Sequence, residues 1–280
     1  MVGSTYSLQE LSKMSRSFPK TGTMPALFIG HGSPMNAIEE NEFVTGFRKV
    51  SQDIPAPSAI LCISAHWETN GTRVTAMPQP PTIHDFGGFP QELFEVQYPA
   101  PGDPGLAADI QGLVQTTDIL LDHEWGLDHG AWSVIKHMYP DASVPVIQLS
   151  LDVNASPEKH LSLARELSVL RKRGVLIIGS GNMVHNLRLL DWRKLREDNY
   201  GFDWALEANQ KMKQMILNRD MKSLSAFRDL GPSIQLAIPT PEHFLPLLYA
   251  MGVSVSSDEI SFFNDKAFGG ALTMTSVLMQ

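Results

Sequence analysis

The chain has 280 residues, 43% hydrophobic and 19% charged, with a formal net charge of -8. That is an ordinary globular balance, and a chain of this size buries about three quarters of its unfolded surface, so it needs no cross-links to fold. The acidic balance argues against a nucleic-acid partner, whose binding is dominated by basic contacts to phosphate. A single cysteine, Cys62, excludes an intrachain disulfide and fits a reducing compartment. No apolar run reaches the roughly 18 residues of a membrane helix, and residues 1–23 lack the apolar stretch of a secretory signal. A cytoplasmic protein with no membrane partner is expected.

Residues 1–23 are polar and read as an N-terminal extension; the absence of any visible linker after them predicts one domain over 24–280. The first strand is predicted at 26–29, running into Gly30-His31-Gly32-Ser33-Pro34. A helix over 40–50 follows, and Pro55 and Pro57 end the connection after it. The second strand, 59–65, carries Cys62 as a buried thiol and stops at His66-Trp67. Residues 77–105 are dense in proline and glycine and cannot form one regular element. A long irregular segment in a compact domain is usually functional, so it is read as a cover over the site. Helices are predicted at 104–115 and 131–138, a strand at 144–150, and a helix at 157–172 that ends in Arg171-Lys172-Arg173-Gly174. The run Val175–Ile178 is the next strand. Helices follow at 203–218 and from Pro241 through His243–Ala250. Short apolar strands alternating with helices give an α/β sheet.

Three histidines stand just past apolar runs, at His31, His66 and His185. Ligands of open α/β sheets bind at the carboxyl ends of the strands, and histidine is the commonest metal ligand. Either His31 or His66 alone reads best as a satisfied loop residue; two at strand ends turn the balance toward a metal. The glycines before His185 permit a nucleotide loop, but the GxGxxG pattern is incomplete. His243 follows Glu242 near a helix start, where Glu242 could equally serve the helix dipole. His129 follows Asp128, which could fix its tautomer, and histidine is a natural general acid–base. His84 lies in the cover and could touch substrate or be structural. His123, His137 and His160 are read as surface residues without a role.

Six ordered motifs then carry a resemblance. They are Gly30–Met35, Ser64–Trp67, Pro81–Pro90, Asp128–Gly130, Gly181–Asn186 and Pro241–Tyr249. Together they resemble the class III (LigB-type) extradiol ring-cleavage dioxygenases, nearest the bacterial 4,5-DOPA dioxygenase branch, over residues 24–278. The resemblance implies a single catalytic domain with a central mixed sheet flanked by helices. It implies a non-haem Fe(II), with Zn(II) possible on the same residues. His31, His66 and His243 would be ligands, and His185 either a fourth ligand or an acid–base. His129 would contact the catechol oxygen and move protons, and Trp67, His84 and Trp132 would help to wall the pocket. Protocatechuate-cleaving relatives use two His and one Glu, whereas this branch points to His243 rather than Glu242. The implied partners are a catechol-type, DOPA-like substrate and O2. Readings from other classes are a zinc-dependent hydrolase and a non-catalytic interaction protein on the same fold.

Overall fold

The computed structural model describes residues 22–280, so the N-terminal extension lies almost wholly outside the described residues. Among the described residues twelve strands occur in chain order: β1 (Ala26–Gly30), β2 (Ala59–Ser64), β3 (Glu68–Thr69), β4 (Thr72–Thr75), β5 (Ile119–Asp122) and β6 (Val146–Gln148), then β7 (Leu151–Asp152), β8 (Val175–Gly181), β9 (Ile260–Phe263), β10 (Ala267–Phe268), β11 (Leu272–Thr273) and β12 (Ser276–Met279). Six of them form the central sheet, in the order β6-β2-β8-β1-β12-β9. The first four are mutually parallel, β12 runs antiparallel to β1 and β9 antiparallel to β12, so the sheet is mixed as the resemblance implies.

Strands β1, β2 and β8 are buried along their whole length, which is why each reads as an unbroken apolar run. Alternate side chains enter different cores. Leu27, Ile29, Ile60, Cys62, Leu176 and Ile178 pack with the helices Glu42–Asp53 and His129–Met138. Ala26, Phe28, Leu61, Ile63, Val175 and Ile177 face the other core, with the helices Pro104–Leu113, Pro157–Leu167, Asp203–Leu217 and Leu245–Val253. The last of these is buried at every position, as an all-apolar helix must be. The result is helices on both faces of one sheet. Among the described residues no helix is long and apolar enough to cross a membrane.

Several boundaries move from the sequence expectation for identifiable reasons. The strand expected over 144–150 is only Val146–Gln148, because after Gln148 the chain leaves the edge of the sheet and β7 pairs with β3. The helix expected over 157–172 is α-helical to Leu167 and tightens into a 3₁₀ turn over Ser168–Arg173. The helix expected from His243 begins at Leu245 and leaves His243 in the preceding turn. Strand β8 runs to Gly181, so Gly179-Ser180-Gly181 is strand and not a phosphate loop. The chain ends are tied by Arg171, which is 1% exposed. It donates to the carbonyls of Met24 and Val253 and pairs bidentately with Asp258 at 2.6 and 3.1 Å.

Candidate metal centre

Because β1, β2 and β8 are parallel, their carboxyl ends lie on one rim. The register pairs Gly30 with Gly181 and Ser64 with Ser180. His31 leaves β1 with its backbone N–H donating to the Gly181 carbonyl at 3.1 Å. Its ring Nδ1 lies 3.0 Å from Ser180 Oγ. The Ser180 hydroxyl donates to the Gly130 carbonyl at 2.5 Å, so its oxygen accepts from the His31 Nδ1–H. That assignment leaves Nε2 with a free lone pair. His66 Nε2 lies 3.2 Å from it, and His66 Nδ1 is 3.3 Å from Asp85 Oδ2.

His243 joins from a different element. Its ring centroid is 5.3 Å from that of His31 and 5.1 Å from that of His66. A β-carbon at Gly181 would sit 2.1 Å from the His243 carbonyl oxygen, so only glycine lets that turn approach. The approach is sealed by the Asn182 N–H donating to the same carbonyl at 2.9 Å. His243 Nδ1 donates to Glu242 Oε1 at 3.0 Å, and Thr240 Oγ1 donates to that oxygen at 2.9 Å. Glu242 is therefore committed to orienting the His243 ring, with its Nε2 left free. A carboxylate on the far nitrogen of an imidazole is the arrangement usual behind metal ligands.

The Nε2 atoms of His31 and His66 face each other at 3.2 Å, a spacing that a shared proton or a single cation bound to both would account for. The donor set fits a divalent metal. Burial, followed by the neighbouring imidazoles, pushes the His31 and His66 pKa values well below the ordinary histidine value, which keeps them in the neutral form a metal needs. Burial and His243 push His185 down to about 3. Glu242 is held at about 2: burial, the largest single influence, opposes ionisation, but the hydrogen bonds from His243, its own backbone and Thr240, with the charge of His243, together outweigh it.

His185 is stacked on His243, with ring centroids 3.5 Å apart and planes 9° from parallel. His129 lies 3.9 Å from His66 between centroids. Its partner is not the sequence neighbour Asp128. Asp128 accepts from Ser64 Oγ at 2.6 Å, from Gln148 Nε2 at 2.7 Å and from the Ala131 N–H at 3.2 Å, spending its carboxylate on capping the helix. The carboxylate at His129 is Asp85, from the segment read as a cover. It stands inside the Pro81–Pro90 motif, but nothing local in the sequence ties it to His129.

The remaining expected residues divide. His84 Nε2 lies 3.0 Å from the Val96 carbonyl, and its ring packs among Phe86, Phe94 and Trp132. Trp132 is fully buried, and its Nε1 donates to the Ile83 carbonyl at 2.8 Å. Both hold the cover segment together. Trp67 is 3% exposed and stacks on Trp125 at 5.7 Å. Phe86, not singled out in the sequence, presents its ring edge-on to His129 at 5.5 Å. The surface reading of His137 and His160 is wrong. Both are buried, His137 against the Asn36 carbonyl at 2.7 Å and His160 against the Tyr249 hydroxyl at 2.9 Å. His123 is exposed. A surface cavity of about 520 Å³, lined in part by Arg48, Lys136 and His137, lies apart from the cluster, and its arginine is already paired with Glu40.

Residues 25–268 match the family described as the catalytic LigB subunit of aromatic ring-opening dioxygenase. The chain is 43% identical over 258 residues to a protein of Escherichia coli (strain K12) named 4,5-DOPA dioxygenase extradiol, covering 91% of this chain and 94% of that one. It is 35% identical over 256 residues to the Beta vulgaris protein of the same name, covering 89% and 94%. The crystal structure of an uncharacterized Escherichia coli K12 protein superposes with a TM-score of 0.79 at 38% identity, covering 92% of this chain and 100% of that one. Family match, relatives and fold agree over nearly the whole domain that carries the strand-end histidines, and the chain belongs to the LigB family of aromatic ring-opening dioxygenases.

Proposed function

We propose that the chain opens a catechol-type, DOPA-like ring on the extradiol side, using O2 at a non-haem metal held by His31, His66 and His243. The observation that carries this reading is the pair of Nε2 atoms of His31 and His66 facing each other at 3.2 Å, with the His31 ring fixed from behind by Ser180 Oγ on its Nδ1. The names of the Escherichia coli and Beta vulgaris relatives support a DOPA-like substrate. Family membership favours ring opening over the zinc-dependent hydrolase and interaction-protein readings.

A bound redox-active metal, iron in this reading, supplies Lewis acidity toward the catechol oxygens and electrons for O2, whereas zinc, with its filled d shell, supplies only the acidity. His129 donates its Nδ1–H to Asp85 Oδ2 at 2.9 Å, which leaves Nε2 as the base for a catechol hydroxyl proton. His185 is the second proton handler and not a fourth ligand. Rings stacked 3.5 Å apart with planes 9° from parallel share no common plane in which one ion could lie for both. Phe86 gives the aromatic substrate an apolar neighbour beside His129.

The test is anaerobic reconstitution with Fe(II), followed by DOPA or another catechol and then air. Oxygen uptake with a yellow semialdehyde product is expected, and the Zn(II)-loaded protein is expected to consume none. Iron-loaded protein that takes up no oxygen across a broad catechol panel refutes the reading.

A further inference from the structure

We infer that Asp85 is the positioning residue for the proton-transferring His129, and that the cover segment exists in part to deliver its carboxylate. This rests on the role proposed above for His129.

The delivery is a matter of register. Thr82 bridges in parallel to Leu127, the Ile83 N–H donates to the Leu127 carbonyl at 2.7 Å, and the Leu127 N–H donates to the Pro81 carbonyl at 2.8 Å. A β-carbon at Gly126 would sit 2.0 Å from the Pro81 carbonyl oxygen, so glycine is needed for the two chains to come this close. Trp132 Nε1 holds the Ile83 carbonyl from below. With 82 fixed against 127, the residues that follow run alongside 128–130, where the Asp85 carboxylate meets His129.

The carboxylate grips His129 twice. Oδ1 accepts the His129 backbone N–H at 2.8 Å, and Oδ2 accepts Nδ1–H at 2.9 Å. The first bond fixes the residue at the helix start, and the second fixes ring rotation and tautomer. Oδ2 also lies 3.3 Å from His66 Nδ1, a longer approach than to His129. The geometry therefore gives Asp85 to His129 first. The proton on Nδ1 is what leaves Nε2 able to take one from substrate. An amide at 85 would still accept the backbone N–H but would turn a donor toward Nδ1. His129 would then carry its proton on Nε2, where it is of no use as a base.

The test uses the full chain and three readouts. Asp85→Asn is expected to lower kcat by about 10²- to 10⁴-fold, the usual worth of a general acid–base, with KM within a few fold. Visible-absorption titration with Co(II) should show metal affinity within about threefold of wild type. Asp85→Ala is expected to regain activity in a saturable way on addition of formate, which a purely structural loss would not do. Asp85→Asn with kcat near wild type overturns the inference. So does a variant whose metal affinity falls while the loaded enzyme turns over normally, because that assigns Asp85 to His66. If the wild-type protein opens no catechol, the proposed function fails first; the Co(II) titration then still reports whether Asp85 serves the metal ligands.

Discussion

Replacing Gly181 by alanine tests how the site is assembled. The new β-carbon would lie 2.1 Å from the His243 carbonyl oxygen, whereas real β-carbons essentially never approach below 3.0 Å, so the 243 turn must retreat by nearly an ångström. The retreat strains or breaks the Asn182 N–H bond to that carbonyl. Overfilling a packed site costs about 1–3 kcal/mol, and the lost bond costs about 1 kcal/mol. The restricted unfolded chain returns about 0.4–1 kcal/mol. The net is about 2 kcal/mol, or a fall in Tm of roughly 4–8 °C at about 2–4 °C per kcal/mol. Metal affinity should fall further than stability, because ligand distances tolerate only about 0.2 Å. Gly179→Ala is the control, its β-carbon meeting the Pro246 carbonyl oxygen at 2.2 Å, inside the helix and beyond His243. Thermal unfolding and Co(II) titration of both variants make the comparison. Comparable Tm losses with a much larger affinity loss in Gly181→Ala are expected. If Gly181→Ala binds Co(II) as wild type does, the close approach is not what places His243.

Three other substitutions probe separate parts of the molecule. Glu242→Ala removes the acceptor behind His243 Nδ1 and should weaken metal binding about 10- to 100-fold, by metal titration, with Tm of the metal-free protein changed little. Arg171→Met leaves buried Asp258 without its partner and should cost about 3–5 kcal/mol in urea unfolding; pairing it with Asp258→Leu should recover much of the loss. Burial lowers the His160 pKa to about 4, so between that value and about 6.5 the unfolded chain binds the extra proton. Stability from this residue is complete above about pH 6.5 and is lost as pH falls toward 4, by up to about 1.4 kcal/mol per pH unit and on the order of 3 kcal/mol in total. His160→Gln should flatten that part of the stability–pH curve, and an unchanged slope would show that His160 is not its source.

What could be read from sequence follows from how locally each feature is encoded. Strands β1, β2 and β8 are sandwiched between two cores, so they are apolar until the serines near the ends of β2 and β8, and their ends are conspicuous; His31 and His66 stand at those ends. Strand β9 is half exposed, with Ser261 facing solvent, and β10 and β11 have two residues each, too short for any period to show. Asp85 was hidden for a different reason. Its link to His129 crosses 44 positions, and a nearer carboxylate, Asp128, offered itself as the partner while being bound to Ser64 and Gln148. His137 and His160 look like surface residues because their helices carry charges nearby, yet each lies on the inward face and meets a specific oxygen. The stacking of His185 on His243 is a matter of ring geometry, which spacing does not carry.

The convergence of strand ends on one rim also governs how the protein comes to exist. The candidate ligands stand at positions 31, 66 and 243, so no fragment short of the folded domain holds all three. Closing such long stretches of chain is paid in entropy before any contact rewards it. A bound ion therefore acts as a late cross-link that recognises only the finished sheet, and it stabilises that state by mass action, about 2.7 kcal/mol at a hundredfold excess of metal over its Kd. Protein made in metal-poor medium should be more readily degraded than the loaded form, and metal retention would serve as a direct gauge of correct folding.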